Sequence, residues 1–219
     1  METKEFIQHL AASCMPVRPL QAPWIRTVLW FALSLPYVAV VVLAGPLNVD
    51  FAQAISDNLF LIEQGATLAT ALAAAIAAFC SIVPGYGRKI LLLPLVPLAV
   101  WLATLGEGCL RDWIGLGADG LTLRPDWGCL PSAALIGIFP AIVMLVMLRR
   151  GAPLVPRATI ALGALAVGAL GNVGLRLFHF GDASIMVLFW HVGAIALLSA
   201  LAACLGRQGL HWSRVVTSR

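Results

Sequence analysis

Six apolar runs, each long enough to cross a bilayer, divide this chain and leave little polar sequence between them. They cover residues 28–44, 60–83, 90–105, 130–148, 158–175 and 184–205. A spanning helix needs about 20 mostly apolar residues to cross a hydrocarbon layer about 30 Å thick. The third run is short and carries Pro94 and Pro97. Pro36 and Pro140 interrupt the first and fourth, where neighbouring helices can satisfy the freed carbonyls. A chain of 219 residues that is 61% hydrophobic and 11% charged has more apolar surface than a soluble domain of that size can bury. The sequence predicts an all-α membrane protein with six transmembrane helices. Residues 1–26 form an N-terminal tail, 27–206 the transmembrane domain and 207–219 a C-terminal tail. Residues 1–23 have no apolar signal-peptide core and no small-residue cleavage site, so insertion is expected to start from the first span.

Orientation follows from the Lys and Arg residues. Eleven of the fourteen lie in the tail, the Arg88–Lys89 turn, the turn from Arg149 to Arg157, and the C-terminus. The opposite side holds Arg111, Arg124 and Arg176 with eight of the ten acidic residues. Basic residues stay cytoplasmic, so both termini are expected there and the 106–131 segment outside. The net charge of +4 is then a feature of topology, and no direct nucleic-acid partner is expected.

The 106–131 segment is the one long polar interval, and it holds Cys109 and Cys129 in mirrored surroundings. Gly108-Cys109-Leu110 leads into Asp112-Trp113, and Asp126-Trp127 leads back into Gly128-Cys129-Leu130. A disulfide between them would close a loop of about 20 residues and stabilise by roughly 3 kcal/mol in the chain-entropy model. Glu107, Asp112 and Asp126 surround the sulfurs, with Trp113 and Trp127 expected at the membrane interface. Carboxylates disfavour a thiolate, which argues against nucleophilic catalysis. The same set could ligate a soft or borderline cation, and the pair could be oxidised reversibly. Staple, metal ligand and redox pair all remain open at this point. Cys14, Cys80 and Cys204 read as inert packing residues.

A second polar cluster joins the fifth and sixth runs to the second: Arg176, His179, Asp182 and His191, with Glu63. Ionisable groups in a bilayer need partners, and Arg176 could pair with Asp182 or with Glu63. These residues read first as fixing packing and helix ends, because spans one, three and four offer no continuation of an ion path.

The N-terminal tail contains a short amphipathic helix over residues 3–14. Thr3 can cap it, Glu5 suits its first turn and Pro16 stops it. Phe6, Leu10 and Cys14 share a stripe with Ile7 beside them. A helix this short is marginal alone in water and needs a surface. The bilayer or the domain's own loops would serve, as would a soluble partner.

Several blocks together resemble the negative regulator of sigma F family: Lys4-Glu5-Phe6-Ile7, Leu10-Ala11 and Pro16-Val17-Arg18 in the tail; Leu105-Gly-Glu-Gly-Cys-Leu-Arg-Asp-Trp113; Pro125-Asp-Trp-Gly-Cys-Leu-Pro131; Arg149-Arg-Gly-Ala-Pro153; and Arg176-Leu-Phe-His179 with Asp182-Ala-Ser184 and Trp190-His191. The resemblance implies a six-span anti-sigma factor of the bacterial inner (cytoplasmic) membrane, not an enzyme and without a cofactor. It implies that Phe6, Ile7 and Leu10 belong to the segment that holds an extracytoplasmic-function sigma factor. It also implies that Cys109 and Cys129 release that factor under metal or oxidative stress, with a heavy-metal ion as a candidate ligand. Two alternatives have weaker sequence support. A membrane thiol-disulfide oxidoreductase should show a CxxC or a relay pair, and a small metal or solute transporter should show broken helices meeting at the midplane.

Overall fold

In the computed structural model of the chain, residues 3–13, 20–45, 56–117, 129–151 and 155–178 are described, with 188, 192, 193, 195–197, 199 and 200 of the last apolar run. Regular structure among them is helical throughout. Helix α1 spans Thr3–Ser13, α2 Pro23–Ala44, α3 Asn58–Cys80, α4 Leu95–Leu116, α5 Cys129–Arg149 and α6 Pro156–Phe178. A 3-10 turn at Arg88–Leu92 precedes α4. Among the described residues, five stretches are long and apolar enough to cross a membrane: α2, α3, Arg88–Leu116, α5 and α6. Most of the sixth predicted run lies outside the described residues. Its Leu188, Val192 and Ile195 pack, half-buried, against the core.

Local signals set the helix ends. Pro23 opens α2, where its fixed φ suits the first turn and its missing N–H costs nothing. Asp57 caps α3, its carboxylate accepting from the Leu59 N–H at 2.9 Å and the Phe60 N–H at 3.4 Å. Gly117 ends α4 with φ at +62°, a conformation that favours glycine.

Two boundaries differ from the sequence expectation. The third run was expected to end at residue 105, yet α4 continues as helix to Leu116, so Cys109 sits in a helix and not in a loop. Polarity ends the apolar run there without ending the helix. Arg111 and Glu107 pair one turn apart at 2.5 Å, and the next helix-ending backbone signal is Gly117. The first apolar run begins at residue 28, yet α2 already starts at Pro23 and buries Arg26.

Helices α3 and α6 form the central pair. Ala71, Ala74, Ala75, Ala77 and Ala78 of α3 are fully enclosed, as are Ala166 and Ala169 of α6. Small side chains let the two backbones approach closely, which is the main source of packing energy where lipid removes the hydrophobic drive between helices. Helix α4 packs on α3, α5 packs on α6 and α2, and α2 also touches α3 and α6. The described residues of α4 and α5 share no extended interface. The outer faces carry exposed apolar side chains, such as Trp24, Val40 and Leu43 of α2, as a lipid-facing surface requires.

Candidate functional site

The chemistry-bearing residues fall in three places. The first is α1. Its Glu5 stands in the first turn, and Phe6 and Ile7 are exposed at 52% and 58%, an apolar pair left uncovered among the described residues. Leu10 belongs to the helix, and its side chain lies outside the described residues.

The second is the cysteine-bearing end of α4. Cys109 is a half-buried free thiol one residue after the buried Gly108. Glu107 is turned to its exposed ion pair with Arg111, Asp112 is half-buried and Trp113 is exposed. Cys129 is the first residue of α5. Its side chain, with Asp126 and Trp127, lies outside the described residues. No group of three or more His, Cys, Asp or Glu converges as a metal site among the described residues. Cys80 is a second free thiol, buried at the end of α3.

The third is the buried ion pair between α3 and α6. Arg176 donates from Nε to Glu63 Oε1 at 2.9 Å and from Nη2 to Oε2 at 2.9 Å. Both residues are buried, and the guanidinium carbon lies 5.8 Å from the centroid of the Phe60 ring. The fork of Arg176 meets both carboxylate oxygens, the geometry that fixes orientation as well as charge. Glu63, one of the two partners open to Arg176 in the sequence, is paired with it here. His179, Asp182 and His191 lie outside the described residues.

Sequence reasoning missed a fourth feature. Arg26, Trp30 and Tyr37 of α2 each donate to a backbone carbonyl of α5: Arg26 Nη2 to Met147, Trp30 Nε1 to Pro140 at 3.0 Å, and Tyr37 Oη to Leu135 at 2.7 Å. Arg26 is only 3% exposed, and its guanidinium lies 4.8 Å from the Phe79 ring centroid. The available signal was spacing: at about 100° per residue, these positions fall within roughly 40° of one another on α2.

Residues 10–212 match a family described as Negative regulator of sigma F. No curated protein and no solved structure matches the chain. That match spans every helix from α2 to α6 and both cysteine blocks, so this chain belongs to the negative regulator of sigma F family.

Proposed function

We propose that this protein is a membrane-embedded anti-sigma factor of the bacterial inner membrane. Its N-terminal tail holds an extracytoplasmic-function sigma factor in the cytoplasm, where both termini lie. The observation that carries this reading is α1, a short helix with Phe6 and Ile7 exposed, joined by residues 14–22 to the first membrane helix. A surface of that kind is stable only when something covers it. The family supplies a sigma factor as the partner. Release follows a change at Cys109 and Cys129, by metal ligation or oxidation, on the side of the membrane opposite to the tail. The protein works by binding, without catalysis and without a cofactor.

Deleting residues 2–15 tests the assignment in cells carrying a reporter driven by the cognate sigma factor. The truncated protein should reach the membrane at the normal level and leave the reporter fully on. Continued repression by an inserted, truncated chain would move the binding surface elsewhere, first to the turn from Arg149 to Arg157.

A further inference from the structure

The tail emerges from α2, and α2 is fastened to α5 along most of their shared length. The donors run Arg26, Trp30, Tyr37 while the acceptors run Met147, Pro140, Leu135, as antiparallel neighbours must. The outer acceptors, Leu135 and Met147, are twelve positions apart on α5, about 18 Å of helix at about 1.5 Å per residue. Leu135 is fewer than two turns from Cys129. All three acceptors are backbone carbonyls, so the bonds track the axis of α5 and not any side-chain rotamer. In a medium with little water, a donor that loses its acceptor finds no replacement, most strictly for Arg26 and Trp30, whose bonds are buried. Sliding or rotating α5 against α2 would break these bonds, whereas moving both together keeps them.

The rest of the bundle gives this pair something to move against. Helices α3 and α6 are joined near one end by Glu63 and Arg176, and near the other by Ser81 and Thr159, whose hydroxyls lie 2.7 Å apart. Helix α4, which carries Cys109, packs on α3 and shares no extended interface with α5 among the described residues. The two cysteines thus belong to different helices, α4 and α5, and α5 packs on both α6 and α2. Cys109 rides on α4 beside the fixed pair, and Cys129 begins the helix tied to the root of the tail. Arg26 sits where that root meets the frame, donating to α5 and lying over Phe79 of α3.

From this geometry we infer that α2 and α5 form one lever, with Arg26, Trp30 and Tyr37 as the positioning residues that carry a change at Cys129 to the tail. The inference rests on the functional reading above and adds the route. Joining, separating or ligating the sulfurs acts between α4 and the α2–α5 unit, and the tail follows α5.

The test uses the full-length chain in its own membrane, a sigma-dependent reporter, and cadmium chloride or diamide as separate treatments. The Arg26→Leu/Tyr37→Phe double variant should insert normally and repress at rest. Its response to the treatment that induces the wild type should fall by about ten-fold, within the usual range for coupling between distant sites. Arg26→Lys, which keeps a cationic donor, should restore most of the response when paired with native Tyr37. A double variant that represses and responds like the wild type overturns the lever alone. An inserted variant that no longer represses at rest also overturns it, because the bonds would then shape the binding state and not the relay. If the double variant fails to insert, Tyr37→Phe alone decides, since it removes one hydroxyl and keeps the ring. A partial loss of response supports the lever and a full response overturns it. A wild-type chain that represses but answers neither reagent overturns the sensing half of the functional reading, and the lever with it.

Discussion

Glu63 and Arg176 place two full charges inside a bundle of apolar helices, and their two 2.9 Å contacts offset the cost of removing them from water. Such a pair adds little net stability against apolar residues of the same volume, yet either member left alone is expensive. We therefore expect Arg176→Met to cost about 3–5 kcal/mol, and Glu63→Leu with Arg176→Met to recover most of it. Thermal or denaturant unfolding in detergent reads both, and equal stability of the single and double variants would show that the pair does not act as a unit. At this scale the sequence was half legible. It marked Arg176 as needing an acid and supplied two. Distance along the chain does not reveal the Glu63 pairing, because Glu63 becomes a neighbour only when α3 packs on α6. Arg26 was less visible still. A charge count treats it as one more cytoplasmic cation, while the fold buries it against a carbonyl 121 residues away.

Helices were the most legible scale, because apolar runs in a bilayer have few ways to satisfy their backbone. The runs 28–44, 60–83, 130–148 and 158–175 correspond to α2, α3, α5 and α6 within a few residues. The exception was α4, where Glu107 and Arg111 ended the hydrophobic signal but pair along the helix face and extend it. Glycines show what composition alone does not separate. At Gly151, in the turn after α5, an added Cβ would lie 2.5 Å from Ile82 Cδ1 and 2.8 Å from Ile82 Cβ, so that contact must shift. At Gly65, in α3, nothing lies within 4 Å. Gly151→Ala should destabilise by about 1–3 kcal/mol through overpacking. Gly65→Ala should be neutral or stabilise by about 0.5–1 kcal/mol through helix propensity. Unfolding curves in the same detergent check the pair, and a reversed order would contradict the close approach of Gly151 to Ile82.

At the scale of the whole molecule, the arrangement puts Pro23, where the tail enters the first membrane helix, at one end of the α2–α5 pair and Cys129 at the other, with Cys109 on a separate helix. Joining or separating the sulfurs would then act between α4 and α5, which share no extended interface among the described residues. Moving a tail from mostly held to mostly free takes roughly 5 kcal/mol of differential stabilisation. A disulfide over a loop of about 20 residues provides roughly 3 kcal/mol in the chain-entropy model, and metal ligation by thiolates can provide more. Either needs both sulfurs. Cys109→Ser and Cys129→Ser should each leave the sigma factor repressed at rest and remove the response to cadmium chloride or diamide. The double variant should match either single, since the first substitution already removes the pair. Induction ratios from the reporter, with protein levels in the membrane fraction as control, measure this directly. Additive losses would mean that the two thiols act separately. Full induction in both single variants would leave the cysteines as a structural staple and shift the sensor to the membrane-buried polar groups around Arg176.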